Sequence, residues 1–493
     1  MRFVGTIASA GKMTIAATVE TGCGCMLFVN RPSSLIGIIG ICLLVLSPQA
    51  GADLSNEKSS ARSSATEEVL RLAEDVGAWL TAVAIRGPNG VSWPDDALQP
   101  DVVSCDLAAG VAGKVLYFVA LHEATGKSSY LDTALGAADF LIACLDESPS
   151  FEGNPRRASL YSGISGMGVA LIQVQQHAPK YQDAVFRIVD RLHEWSIITP
   201  DGMHWSDDFN DLIYGDAGTA LFLAYVANRT GDGKALGMSR NGARYLLQQE
   251  KQAQNGSFWV FRRSKPFNLP NFSHGTAGVS YVLATIGSVA NEPELLAGAA
   301  RGFRYIQSIA EVENGMLRIP YGWGSESWDG LYEFGWAHGL AGTAALFQRL
   351  QLAGIETAAA TEFEELARYT LMNIGLPGTA DAPFAEPSTE LDRRFGRAGV
   401  LVKFAEWSRC EPEKHEIAAL RDALFMHLKQ AAVRDNQGTR WEVDAPAFMG
   451  GGRAAYTGMF HGAAGIGLAL LQLHASMLQR DAYIRLPDDP FAW

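Results

Sequence analysis

The sequence repeats the pattern Gly-x-(Ala or Ser)-Gly seven times, at intervals of 52 to 66 residues between the first glycines. These glycines are Gly110, Gly163, Gly215, Gly275, Gly339, Gly396 and Gly462. An interval of this length holds two helices and their loops, and self-similarity at such a period is typical of a repeat architecture. The motif therefore predicts an all-α chain of seven helical hairpins.

An amphipathic helix is predicted before each motif and a more apolar helix after it. The first amphipathic helix begins at Ser64 or Thr66, residues suited to a helix start. The later ones are expected at 130–145, 181–197, 235–249, 294–309, 361–372 and 417–432. The apolar helices are expected at 115–122, 169–175, 220–227, 279–286, 344–350, 400–407 and 466–474.

The apolar helices are expected to be buried on all sides. Small residues at i and i+3 share one face of a helix, so seven such helices can meet around one axis without collisions between their Cβ atoms. We therefore expect the hairpins to close into an α/α toroid, with the glycine motifs at the starts of the inner helices.

The residues before the repeats have a different composition. An apolar run at 35–47 follows Arg31 and ends near small residues at 50–52, as in a signal peptide. Residues 1–52 are therefore predicted to be a leader and 53–64 a polar linker, with a single toroid domain at 65–493. This predicts an exported protein, periplasmic or extracellular; the alternative is a chain anchored in a membrane by residues 35–47. Translation from Met26 would give the leader a conventional length.

The net charge bears on nucleic-acid binding, and the cysteine content bears on disulfide formation. The formal net charge is −13 and the sequence has no basic run, so binding to a nucleic-acid backbone is not expected. Three cysteines follow the leader, namely Cys105, Cys144 and Cys410. A disulfide between the first two is conceivable, but their spacing does not decide it.

Three histidines occupy the same repeat position, directly before the first glycine of a motif. They are His274, His338 and His461. In a closed ring, equivalent positions converge at one end, and three imidazoles suit zinc with an open coordination position. The alternative is that each ring only packs beside its aromatic neighbours.

Cap-forming or turn-forming residues recur four positions before each first glycine. Asp211 at this position is a candidate general acid or base paired with His274. Asp106 and Asp392 hold the same position without a histidine beside them in the sequence, so a helix-capping role for all three is the alternative.

Aromatic and acidic residues precede the fifth motif. Trp328, Glu326 and Asp329 lie in a glycine-rich stretch, and Trp336 stands in the motif itself. Flat rings bind sugars, and paired carboxylates such as these with Asp208 are what glycoside hydrolysis requires. A structural role for aromatic loops over a ring mouth is the alternative.

With these motifs the chain resembles the lanthionine synthetase C-like family over roughly residues 67–479. The pieces that carry the resemblance are Asp211-Leu212-Ile213-Tyr214-Gly215, Ser273-His274-Gly275, Trp336-Ala337-His338-Gly339 and Phe460-His461-Gly462. The resemblance implies an α/α toroid with an Asp and a His close to a zinc ion. It also implies cysteine ligands where Ala337 and Phe460 stand.

The resemblance therefore favours a divergent lyase or transferase that acts on a peptide or small molecule through Asp211 and His274, with zinc, if bound, on histidines. A carbohydrate-active enzyme and a binding module without catalysis are the two alternatives.

Overall fold

The structure is a computed structural model, and it describes residues 48–146, 153–374, 391–445 and 451–493. The predicted apolar leader segment at 35–47 lies outside these residues. Among the residues described, no helix has both the length and the apolar character needed to cross a membrane.

Fourteen helices run through the described residues and alternate between an outer and an inner layer. The outer helices are α1 Pro48–Ala82, α3 Ser128–Asp146, α5 Pro179–Trp195, α7 Gly233–Gln248, α9 Pro293–Ile309, α11 Thr357–Asn373 and α13 His415–Gln430. The inner helices are α2 Val111–Thr125, α4 Ile164–Val174, α6 Asp216–Thr230, α8 Thr276–Ala290, α10 Leu340–Leu352, α12 Arg397–Cys410 and α14 Ala463–Met477.

The predicted seven hairpins and the all-α toroid are confirmed. Each inner helix packs against the inner helices on either side of it, and α14 packs against α2, which closes the ring. The first helix, α1, packs outside α14 and so completes the last hairpin. It begins at Pro48, so it includes residues 53–64, whose composition favours a linker.

The glycines are required where inner helices meet. A Cβ added at Gly166 would lie 2.6 Å from the Cβ of Leu107 in the repeat before it, and one at Gly218 would lie 2.8 Å from the Cβ of Leu160. At Gly113 the corresponding neighbour is Met459 of the seventh repeat, also at 2.8 Å. The same contact thus recurs across the point of closure, which shows that the motif is the ring's packing surface.

Short antiparallel hairpins join outer to inner helices. They are β1 Ile85–Gly87 with β2 Gly90–Ser92, β3 Ile197–Thr199 with β4 Gly202–His204, β5 Lys251–Gln252 with β6 Ser257–Phe258, β7 Glu311–Glu313 with β8 Met316–Arg318, β9 Val433–Asp435 with β10 Gly438–Arg440, and β11 Val443–Asp444 with β12 Arg453–Ala454.

A tryptophan follows four of these hairpins and ties each to an outer helix. The indole N–H groups of Trp93, Trp205, Trp259 and Trp441 each donate to the carbonyl of a leucine 13 residues earlier, at 2.6 to 2.8 Å. Because Trp N–H groups need a partner when buried, these bonds fix the angle at which the chain turns towards the axis.

The C-terminal segment after α14 enters the ring from the end opposite to the glycine motifs. The hydroxyl of Tyr161 donates to Asp488 at 2.7 Å, and that of Tyr281 donates to the carbonyl of Pro487 at 3.1 Å. Elsewhere, Cys105 and Cys144 form a disulfide that links the loop before α2 to the end of α3, so the pairing that the sequence left open is present.

We expect Gly218→Ala to lower the free energy of unfolding by at least about 2 kcal/mol, because the new methyl group overlaps both Leu160 and the backbone of Leu212. The matched control is Gly237→Ala in α7, where nothing lies within 4 Å. There the change should be neutral or stabilising by up to about 1 kcal/mol. Urea unfolding of both variants measures the difference; equal stability would contradict the packing role of the motif.

Candidate active site

The residues that precede the motif glycines form an arc at the starts of the inner helices. The ring centroids of Tyr214 and His274 are 5.2 Å apart, those of His274 and His338 5.3 Å, those of His338 and Phe395 6.1 Å, and those of Phe395 and His461 5.8 Å. The small residues at the equivalent positions of the first two repeats are Ala109 and Ser162. The mouth of the toroid is therefore lined by aromatic or imidazole side chains in five repeats and by small side chains in the other two.

Asp211 and His274 form a buried pair. The imidazole Nδ1 lies 2.6 Å from Oδ2 of Asp211, and both side chains are almost fully buried. Asp211 also accepts from the backbone amides of Ile213 and Tyr214, so it caps the turn as well as meeting the histidine. The capping interpretation of Asp211 and its pairing with His274 are thus both present, and its role as a general acid or base stays a prediction.

Burial controls the protonation of this pair. It raises the pKa of Asp211 to about 7, even though the backbone amides and Arg156 act in the opposite direction. Burial, with Arg394 and Arg156 nearby, holds the pKa of His274 well below its ordinary value. The imidazole is therefore neutral, with its proton on Nδ1 facing the carboxylate.

A second pair of the same kind lies three repeats further on. Nδ1 of His461 is 2.7 Å from Oδ2 of Asp392, and Asp392 also accepts from the amides of Phe395 and Gly396. No histidine stands beside Asp392 in the sequence, but the fold places His461 there, because the partner comes from the next repeat. The residue four positions before one motif glycine faces the residue directly before the next.

The repeat rule also explains the remaining aspartate. Asp106 accepts from the amides of Ala109 and Gly110, as Asp392 does in its own repeat. The residue it would face in the next repeat is Ser162, so no imidazole is available. Asp106 is therefore a cap alone.

Arg394 occupies the space in front of His274. One of its amino groups donates to Nε2 of His274 at 3.2 Å. Its guanidinium lies over the rings of Phe395 and Phe460, at 4.5 and 5.2 Å from their centroids. Since Nε2 accepts a hydrogen bond from Arg394, the proton of the neutral imidazole is on Nδ1. Asp211, His274 and Arg394 form one continuous chain.

His338 is buried and packs against Tyr321, with ring centroids 4.4 Å apart. Its Nδ1 has no hydrogen-bond partner among the described residues. Burial, His274 and Arg394 hold the pKa of His338 well below its ordinary value. The uncharged imidazole of His338 therefore lines one side of the site.

The three histidines as placed do not suit a shared zinc ion. Nε2 of His274, the nitrogen that would face a metal, accepts a hydrogen bond from a cation, Arg394. A dication beside the Arg394 guanidinium would be repelled. Within the described residues no group of three or more His, Cys, Asp or Glu side chains is placed to hold a metal. Zinc binding stays a prediction.

Ala337 and Phe460 are both buried. The Phe460 ring stacks on Tyr161 at 4.6 Å and meets Trp336 at 5.6 Å; Trp336 in turn meets Phe272 at 5.8 Å. These rings fill the axis of the toroid beneath Arg394. Trp336, predicted to bind substrate, thus lies in an aromatic plug.

The acidic loop before the fifth motif is only partly open to solvent. Glu326 and Asp329 are exposed, whereas Trp328 packs on Phe267 and Tyr321. Asp208 lies elsewhere in an ion pair with Arg262 at 2.6 Å and accepts from the amide of Ser264. These bonds hold the pKa of Asp208 below its ordinary value in spite of its partial burial, which does not suit a general acid.

Arg394 and Arg156 were not predicted from the sequence, and Asp392 was predicted only as a cap. The Arg156 guanidinium lies 3.9 Å from the centroid of the Tyr214 ring, so it and Arg394 flank the arc of rings. Aligning the residue four positions before one glycine with the residue directly before the next would have found Asp392. Arg394 carries no such signal, because no other repeat has an arginine two positions before its glycine.

Comparisons with known proteins agree with this fold. The family model described as lanthionine synthetase C-like protein matches residues 101–375. Among solved structures, nisin cyclase matches with a TM-score of 0.56 and 15% identity over 80% of this chain and 93% of that chain. No curated protein matches this chain in sequence.

Two weaker structural matches are carbohydrate-active. An α-1,6-mannanase from Salegentibacter sp. HEL1_6 matches with a TM-score of 0.41 and 14% identity over 65% of this chain and 91% of that chain. An unsaturated glucuronyl hydrolase from Bacillus sp. GL1 matches with a TM-score of 0.42 and 15% identity over 64% and 86%.

We expect NMR of protein labelled with ¹⁵N-histidine to show His274 as the Nδ1–H tautomer, assigned by its loss in His274→Gln. Because its pKa is depressed, Nε2 should stay unprotonated as the pH falls through about 6.5, where an ordinary imidazole gains a proton. Protonation of Nε2 near that pH would show that Arg394 does not face it in solution.

Proposed function

Since the chain belongs to the lanthionine synthetase C-like family, we propose that it is a divergent lyase or transferase that works by acid–base chemistry at the glycine-motif end of the ring. The substrate is a peptide or small molecule with an activated carbonyl group. The observation that carries this proposal is the His461–Asp392 pair at the mouth, with Arg394 in the same site.

His461 is the proposed base. Its side chain is 22% exposed, whereas that of His274 is 7% exposed, so a substrate reaches His461 more readily. Asp392 holds Nδ1, which leaves Nε2 without a hydrogen bond in the described part of the chain. An imidazole held in this way by a carboxylate can take a proton from a substrate and return it.

Arg394 is the proposed group that stabilises negative charge. The guanidinium is half-buried and held from one side by His274, and it lies across two aromatic rings. A donor fixed before the reaction, at a site with little water, stabilises a developing oxyanion more than a mobile one does. On this proposal Asp211 and His274 are positioning residues for Arg394.

Addition of a thiol to a dehydroamino acid illustrates the step. His461 takes the thiol proton, the sulfur bonds to Cβ, and the electron pair of the C=C bond moves to the carbonyl oxygen as an enolate near Arg394. Protonated His461 then returns the proton to Cα. The reverse sequence is an elimination, so the same groups serve a transferase or a lyase.

Export is part of the proposal. The Cys105–Cys144 disulfide supports it, because such bonds persist mainly in oxidising compartments. The apolar run at 35–47 is the proposed signal, and retention of that run as a membrane anchor is the alternative.

The test is a peptide with one cysteine and one dehydroalanine, followed by reversed-phase separation of the cyclised product. We expect His461→Ala and Asp392→Asn to lower the rate at least about 100-fold. Asp106→Asn should leave the rate unchanged, because Asp106 holds the same repeat position as Asp392 but has no histidine partner in the next repeat. A chelator should have no effect.

Several outcomes would overturn the proposal. One is a rate no higher than that without protein, and another is full activity in His461→Ala. Stoichiometric zinc that is lost in His461→Ala, with activity lost on chelation, would instead support the predicted three-histidine site.

Glycan binding is a second candidate, favoured by Trp323. Its ring is 41% exposed and lies in the same loop as the exposed Glu326 and Asp329. We expect Trp323→Ala to abolish any oligosaccharide binding detected on a glycan array. The control is Trp195→Ala, because the Trp195 ring is already covered by the guanidinium groups of Arg157 and Arg191. Absence of binding by the unmodified protein would exclude this candidate.

A further inference from the structure

A second cavity lies at the other end of the ring, where the inner helices finish. Its volume is about 520 Å³, within the range of small-molecule sites. The ends of α8, α10 and α12 form one side of it, and the C-terminal segment forms the other. This cavity shares no lining residue with the candidate active site.

Arg349, in the last turn of α10, lines this cavity, and no described side chain forms an ion pair with it. The residue is 6% exposed, and its Nε makes no hydrogen bond within the described chain. No described carboxylate lies within 4 Å of its guanidinium, and burial lowers the pKa of Arg349 from its ordinary value. Arginine does not lose its proton in proteins, so a buried positive charge faces the cavity uncompensated.

The other two arginines of the cavity are paired. Arg409 and Arg485 share Asp481, at 3.2 and 2.9 Å, and Arg485 also binds Asp489 at 2.9 Å. These ion pairs hold the C-terminal segment against α12. Arg349 is thus the cation of this cavity that is left for a ligand.

The remaining lining is largely apolar. Val289 and Leu352 lie at the helix ends and are partly exposed, while Phe491 and Trp493 come from the C-terminal segment. The indole N–H of Trp493 donates to Pro487, which fixes that ring in place. A ligand that fits both parts carries one anionic group and an apolar body.

We propose that this cavity binds an amphipathic carboxylate, with the carboxylate on Arg349 and the apolar body between the helix ends and the C-terminal rings. A planar guanidinium matches a carboxylate in a bidentate manner. The ligand supplies the negative charge that the fold does not. This site is independent of the reaction at the glycine-motif end.

The probe is octanoate, with 1-octanol as the uncharged molecule of the same length and inorganic phosphate as the anion without an apolar body. Titration calorimetry on the full chain should give saturable octanoate binding at least about tenfold tighter than that of 1-octanol. Arg349→Gln should lose that preference and retain the weak binding of 1-octanol. Arg304→Gln, at an exposed arginine paired with Glu356, should behave as the unmodified chain.

Folding of the variant is not expected to obscure the result. Arg349→Gln removes an unpaired buried charge, so its melting temperature should not fall. Arg349→Lys keeps the charge without the planar fork and should bind octanoate with intermediate affinity. No saturable binding of octanoate, equal binding by Arg349→Gln, or phosphate bound as tightly as octanoate would each overturn the proposal.

Discussion

The close approach of neighbouring inner helices at their glycines is the constraint on which the rest depends. Gly166 and Gly218 admit Leu107 and Leu160 of the preceding repeats at distances that leave no room for a side chain. The helix starts are therefore held at one level around the axis. Each inner helix begins directly after the first glycine of its motif. The residue before that glycine therefore lies at the mouth of the toroid, and the identity of these residues determines the chemistry of the site.

Sequence periodicity was sufficient for the helices and their order, because burial follows from the apolar pattern of each segment alone. It was insufficient for contacts that cross repeats. The bond between Asp392 and His461 joins residues 69 positions apart, and it follows only once the offset between neighbouring motifs is known. The C-terminal segment carries no motif, so its place inside the ring depends on tertiary contacts such as that of Asp488 with Tyr161.

Phe460, which stands where the resemblance implies a cysteine ligand, is in contact with Arg394. Phe460 fills the axis with Tyr161 and Trp336, and Arg394 lies on its outer face. An apolar plug below and a guanidinium above create a place for negative charge, whereas thiolates create a place for a cation. The loss of the cysteines and the presence of Arg394 are thus physically consistent with each other.

The pairing of α1 with α14 has a consequence for how the chain matures. The first and last helices pack against each other as a pair, so a growing polypeptide has an uncovered apolar surface until its final helix has emerged. Contacts of such long sequence separation form slowly and leave intermediates prone to association. The slow step in refolding should therefore be the meeting of these two ends, and a chain cut within α14 should aggregate rather than form a six-hairpin ring.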